Sequence, residues 1–197
     1  IDLDDTIWNF RTNSKIALEI IYDRYGLSEY YPLFDEYYRV YSEKNTELWS
    51  LYHHNRISKE TLIVERFRYP LQRVGAYNDK LVLQLNADYL SVLSEQGELV
   101  PQARELLDYL KSRSYRLHII SNGFKEVQFK KMKSAGIENY FEKIILSDEV
   151  GVNKPHPDIF RYALNKTGSS KNTSLMIGDN YDADILGAMR SGLDQVY

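Results

Sequence analysis

The second half of the chain alternates short apolar runs with amphipathic stretches. In "PQARELLDYL" the apolar residues Ala103, Leu106, Leu107 and Leu110 recur at helical spacing, with Pro101 placed to open the helix. "RLHIIS" follows as a continuous apolar run. "KEVQFKKMKSAG" reads as a helix stopped by Gly136, and "KIILS" as a second run. "PDIFRYALNKTG" predicts a helix starting at Pro157 and ending before Gly168. "SLMIG" is a third run, "DADILGAMRSG" a fourth helix stopped by Gly192, and "DQVY" the start of another strand. This rhythm predicts an α/β chain whose parallel sheet is covered on both faces.

The chain opens with "IDLDDTIW". "IDL" reads as the last residues of a strand whose body lies upstream, and both chain ends read as trimmed. The acids Asp2, Asp4 and Asp5 then lie at a strand's carboxyl end, where open α/β sheets bind ligands.

Residues 12–96 lack this rhythm. "SKIALEIIYDRYG" places Ile16, Ala17, Ile20 and Ile21 on one side and ends at Gly26. Helical stretches follow at roughly 33–54 and 58–73, the second capped by Ser58, and "NDKLVLQLNADYLSVLSEQG" is a longer helix. The expected organisation is a core of residues 1–11 and 97–197 with an all-helical domain, 12–96, inserted. That insert is rich in tyrosine: Tyr22, Tyr25, Tyr30, Tyr31, Tyr37, Tyr38, Tyr41 and Tyr52. These rings can build its core, or one or two can stack on a planar substrate.

Composition narrows the function. With 43% apolar and 27% charged residues the chain is an ordinary globular one. A net charge of −3 gives no broad attraction to nucleic acid or anionic membrane, so neither is an expected partner. With no cysteine, disulfides, Cys-ligated zinc and thiol catalysis are excluded. No apolar run approaches the roughly 18 residues of a membrane span, and a cytoplasmic location is expected.

Four polar stretches follow the predicted strands: "DLDDT", Ser121-Asn122-Gly123, Lys154 in "NKPHPDIF", and Gly178-Asp179 with Asp184. Parallel strands end on one side, so the four converge. Alternation places Asp2 and Asp4 on the same side. With Asp179 they make a hard-oxygen site suited to Mg²⁺, which would relieve their repulsion. A lysine, a serine hydroxyl and backbone N–H groups beside it would complete a phosphate site. The distal glutamate and the glycine of a calcium-binding EF-hand loop are absent.

The order of these elements resembles the haloacid dehalogenase superfamily, in the subfamily with a helical cap after the first strand. The resemblance implies a Rossmann-like doubly wound parallel sheet with an inserted all-helical cap domain. It implies that Asp2 is the nucleophile forming an aspartyl-phosphate and Asp4 the general acid/base. Mg²⁺ would be held by the Asp2 side chain, the Asp4 backbone carbonyl and Asp179. Ser121, the backbone around Asn122 and Gly123, and Lys154 would grip the phosphoryl oxygens, with Asp184 orienting a metal water or Lys154. Dehalogenases and phosphonatases of the superfamily lack an aspartate two positions after the nucleophile. Asp4 therefore implies phosphoryl transfer from a small-molecule phosphate monoester, by a phosphatase or else a sugar phosphomutase. "ELWSLYHHNRIS", "ISNG" and "LSDEVGVNKP" are similar to the pyrimidine nucleoside 5′-monophosphatase branch. Trp49, Tyr52 and His53 are then candidates to line the substrate site; a sugar-phosphate or phosphoglycolate phosphatase is the alternative. His118, inside an apolar strand, is expected to be a satisfied core histidine, and His156 a loop residue between prolines.

Overall fold

The computed structural model describes residues 1–197 and divides into two compact units, Ile1–Arg11 with Glu95–Tyr197 and Thr12–Ser94. The first is the core unit. Its strands are β1 (Leu117–Ser121), β2 (Phe141–Leu146), β3 (Leu175–Ile177) and β4 (Asp194–Val196), paired in parallel as β1 with β2 and β3 with β4. The opening segment joins the two pairs. The Ile1 nitrogen donates to the His118 carbonyl (2.9 Å), Ile120 N–H to the Ile1 carbonyl (3.0 Å), and Asp2 N–H to the Ile177 carbonyl (2.8 Å). The lateral order is therefore β2, β1, residues 1–3, β3, β4. Chain order runs outward on one side of the opening segment, then resumes on the other. A reversal of this kind is where doubly wound sheets bind their ligands.

Helices cover the sheet as its apolar runs require. The core unit contains α5 (Ala103–Ser112), α6 (Lys125–Ser134), α7 (Ser147–Val150), α8 (Pro157–Thr167) and α9 (Gly187–Arg190). Ile120, Ile145, Ile159, Phe160, Ala163, Met176, Ala188 and Leu193 form one buried cluster. Leu117 and Ile119, which alternate with Ile120 along β1, are buried as well, so both faces are dry. After Leu3 the chain turns sharply, with Ile7 and Trp8 N–H both donating to the Leu3 carbonyl. Asp5 takes a left-handed φ of 58°, and its carboxylate accepts from Arg11 N–H in the first turn of the next helix.

Three expectations for the core are corrected. Pro101 does not open α5; Gln102, at a left-handed φ of 65°, separates it from the helix, which starts at Ala103. The stretch after β3 is not one regular helix. Residues Tyr181–Leu186 form a wide π-helical turn, capped by the Asn180 side chain on Ala183 N–H, before the short α9. His118 is half-buried with neither ring nitrogen partnered, and burial lowers its pKa, so it is not satisfied.

The second unit is helical: α1 (Phe10–Arg24, which starts in the core unit), α2 (Phe34–His53), α3 (Lys59–Arg73) and α4 (Asp79–Glu95, which ends in it). Ser58 caps α3 by accepting from Thr61 N–H. In α1 the buried face is Asn13, Ser14, Ala17, Leu18, Ile21 and Tyr22, while Ile20 is exposed; the expected stripe is turned by about one residue. Tyr22, Tyr31, Tyr37, Tyr41 and Tyr52 are buried, whereas Tyr30 is exposed. Tyr41 packs against Phe67 (ring centroids 5.1 Å apart) and edge-on to Tyr89 (5.8 Å), and the Tyr89 hydroxyl hydrogen-bonds Ser14 Oγ at 2.9 Å. These tyrosines share the unit's core with aliphatic residues such as Leu18, Ile21, Leu62 and Leu85.

Phe160 is fully buried, and its ring lies where a side chain on Gly187 would intrude. Phe160→Ala is expected to cost about 3–5 kcal/mol in chemical denaturation. Tyr109→Ala, at an exposed ring, should stay within about 0.5 kcal/mol.

Candidate active site

The strand ends deliver a cluster of charges. Asp2, in the opening segment, is buried, as are Lys154 and Asp184. Lys154 Nζ donates to Asp2 Oδ1 (2.6 Å), Asp184 Oδ1 (2.6 Å) and the Ile120 carbonyl (2.8 Å). An ammonium has three donors, and all three are used. Burial works against its charge, but Asp184 and Asp2 outweigh burial and hold the ammonium above its ordinary value. Two acids share that one cation. Burial pushes the Asp2 carboxyl up to about 7; Lys154 opposes this and Asp184 adds to it.

Local backbone features aim each group. Asn122 donates from its amide to the Lys154 carbonyl (3.0 Å) and accepts from Lys154 N–H (2.8 Å). Its side chain thus clamps both peptide groups of the lysine. Asp184 reaches inward from the π-helical turn and accepts from Asn180 N–H through Oδ2 (3.1 Å). It lies directly against Gly178, where any Cβ would collide with the carboxylate. Asp179 is held by Thr6, whose Oγ1 accepts from Asp179 N–H (3.1 Å) and donates to Oδ1 (3.3 Å). Partial burial, then Asp184, raises the Asp179 pKa.

Asp2, Asp179 and Asp184 each place one carboxylate oxygen within 4.8 Å of the others. Lys154 offsets one of three negative charges, leaving the charge of one divalent cation to be matched. The donors are all hard oxygens, two of the three acids are buried, and the set fits Mg²⁺. The expected pairing of Asp2 with the Asp4 carboxylate does not occur. The chain stops being extended at Asp4, so alternation ends there. Its carboxylate instead accepts from Lys131 Nζ at 2.7 Å (Oδ1) and Gln128 Nε2 at 2.8 Å (Oδ2), both on α6. The same Gln128 amide donates to Ser121 Oγ (2.7 Å), which also accepts from Gly123 N–H (3.0 Å).

A family model described as haloacid dehalogenase-like hydrolase matches residues 1–192. The chain belongs to that family. Among relatives of this haloacid dehalogenase-like hydrolase, the pyrimidine 5′-nucleotidase YjjG of Escherichia coli is 31% identical, over 98% of this chain and 81% of the relative. A glyceraldehyde 3-phosphate phosphatase of Methanothermobacter thermautotrophicus is 32% identical, over 99% of this chain and 82% of the relative. The magnesium-bound crystal structure of the putative HAD-hydrolase YfnB from Bacillus subtilis superposes with a TM-score of 0.90 at 28% identity, covering 98% of this chain and 84% of that one.

Thr6, Gln128 and Lys131 were not anticipated from the sequence. Gln128 and Lys131 did leave a signal: spaced i, i+3, they are polar on the face of α6 that buries Val127 and Met132. Thr6 left none. His156 is not merely a loop residue; it precedes α8 and its Nδ1 accepts from Asp158 N–H at 3.3 Å. Trp49 and Tyr52 lie near the end of α2 in the helical unit, rings edge-on at 5.6 Å, with Trp49 partly exposed and His53 at 5.6 Å from it.

Lys154→Met would leave two buried carboxylates without their cation. It is expected to destabilise the fold by about 3–5 kcal/mol in denaturant titration.

Proposed function

We propose that this haloacid dehalogenase-like hydrolase is a Mg²⁺-dependent phosphatase of small phosphate monoesters, with nucleoside 5′-monophosphates as its substrates. The observation that carries the reading is the separate housing of the two acids. Asp2 sits with Lys154, Asp179 and Asp184 in the cation-binding cluster, while Asp4 is held apart by α6. The first arrangement suits a nucleophile, the second a proton carrier.

In this mechanism an Asp2 oxygen attacks phosphorus and the ester P–O bond breaks. Asp4 gives the departing oxygen its proton, leaving an aspartyl-phosphate on Asp2. Asp4, now a carboxylate, takes a proton from water as that water attacks the same phosphorus. The bond to Asp2 breaks, inorganic phosphate leaves, and both acids return to their starting states. Gln128 and Lys131 take one Asp4 oxygen each, so each oxygen keeps a second lone pair for the travelling proton. Ser121 Oγ and backbone N–H groups around Asn122 hold phosphoryl oxygens; the Gly123 N–H, expected among them, is instead taken by Ser121 Oγ. Lys154 keeps Asp2 and Asp184 in place and lends its charge to the phosphoryl group. Asp2, Asp179 and the Asp4 backbone carbonyl would hold Mg²⁺, with Asp184 beside them. Bound there, the ion supplies charge neutralisation for the phosphoryl group.

The nucleotide assignment is supported by the relationship to YjjG and by the aromatic character of the helical unit. The chemistry lies in the core unit, which leaves the helical unit to set substrate choice. A sugar-phosphate phosphatase is the second reading, favoured by the comparable identity to the glyceraldehyde 3-phosphate phosphatase. Phosphate release from UMP, dUMP, dTMP and glyceraldehyde 3-phosphate decides between them. Faster turnover of the nucleotides is expected; the reverse order would put sugar phosphates first. Interconversion of hexose phosphates without phosphate release would instead reveal a mutase.

Chelation with EDTA, and Asp179→Ala, are both expected to abolish phosphate release, with the EDTA effect reversed by added Mg²⁺. Asp4→Asn is expected to lose about 10²–10⁴-fold in rate. Near-normal turnover by that variant would remove Asp4 from proton transfer.

Trp49→Ala or Tyr52→Ala is expected to raise KM for nucleotides, with less effect on p-nitrophenyl phosphate. Equal losses on both substrates would show that the rings serve stability.

A further inference from the structure

Helix α6 delivers two buried polar side chains, Gln128 and Lys131, to the edge of the site. Gln128 has two amide hydrogens and two acceptors at short range, Asp4 Oδ2 (2.8 Å) and Ser121 Oγ (2.7 Å). Its orientation is not arbitrary. A turned-over amide would set its carbonyl oxygen against the Asp4 carboxylate, and the present one instead leaves Gln128 Oε1 buried without a partner. Gly123 makes the approach possible, since a Cβ there would occupy the space of the Gln128 amide.

The consequence for Ser121 follows from valence. A hydroxyl has two acceptor positions and one proton. Gly123 N–H and Gln128 Nε2 fill both acceptor positions. Only the proton remains, so Ser121 is committed to donating. Lys131 fixes the other end of Asp4: Nζ is 2.7 Å from Oδ1, 4.4 Å from the Trp8 ring centroid and 5.4 Å from that of Phe10. Trp8 is fully buried, so this aromatic seat is rigid.

We infer that Gln128 and Lys131 are positioning residues that lock Asp4 in one orientation, and that the Gln128 amide ties Asp4 to Ser121 so that the proton carrier and the hydroxyl that donates to the phosphoryl group are held in one frame. This inference rests on the phosphatase reading above. It goes beyond that reading by assigning positioning roles to Gln128 and Lys131 on α6.

The test compares kcat/KM, which reports the first chemical step, for a nucleoside monophosphate and for p-nitrophenyl phosphate. The nucleotide's alkoxide leaving group needs a proton from Asp4; p-nitrophenolate does not. Gln128→Met and Lys131→Met are expected to lower the nucleotide value by about 100-fold, the scale of a displaced catalytic group. The p-nitrophenyl phosphate value should fall by less than about 10-fold. Lys131→Arg, which keeps a cation near Asp4, should recover most of the loss. Gln128→Leu removes both donors without adding charge and should show the same selectivity should Gln128→Met fail to fold by circular dichroism. Folded variants that lose both substrates equally, or neither, overturn the inference and leave the phosphatase reading intact. Wild-type protein that releases no phosphate from any ester with Mg²⁺ overturns both.

Discussion

One buried ammonium organises the site. Lys154 sits between Asp2 and Asp184 with its third donor on the Ile120 carbonyl, and none of the three charges could stay buried without the others. Meeting that requirement dictates much of the surrounding backbone. The Asn122 amide clamps the lysine's own peptide groups, Gly178 leaves room for the Asp184 carboxylate, and the π-helical turn swings Asp184 inward. The opening segment must lie between β1 and β3 for Asp2 to reach this cation at all. The reversal of strand order there places the charges at the edge where open α/β sheets bind ligands.

The acids of "DLDDT" then separate by geometry. Asp2 is still in extended chain and faces Lys154. Asp4 lies at the turn and faces α6, where Lys131 and Gln128 take its two oxygens. Asp5, at a left-handed φ, turns to cap α1. The three neighbouring carboxylates thus point to different partners, which limits their mutual repulsion. Thr6 adds a fourth role by holding Asp179.

The helical unit meets a different constraint. It packs buried tyrosines among its aliphatic side chains, and most of their hydroxyls find partners, although that of Tyr37 does not. Tyr31 donates to the Pro70 carbonyl at 2.8 Å, and Tyr89 pairs with Ser14. Arg66 is buried with its Nε donating to Asn86 Oδ1 (3.1 Å) and its guanidinium 5.0 Å from the Tyr89 ring centroid. Polar groups here specify how four helices register on one another.

The elements that could be read from the sequence were those with a local cause. Apolar runs such as "RLHIIS" and "KIILS", alternating with amphipathic helices, determined a parallel sheet covered on both faces, because burial on two sides demands continuous apolar strands. The strand ends then determined that Asp2, Ser121, Lys154 and Asp179 would lie on one rim. The tyrosine-rich stretch could be read as helical, but not how its rings divide between core and surface. The tertiary structure alone decided which carboxylate faces which cation. Asp4's partners are 124 and 127 residues away, and Asp2's is 152 residues away, so no local pattern encodes them. It also decided that the helix after β3 would widen into a π turn, from which Asp184 meets a lysine that only the folded sheet brings near. Spacing along a chain sets periodicity and burial; which charges end up paired depends on contacts that exist only once distant segments have packed.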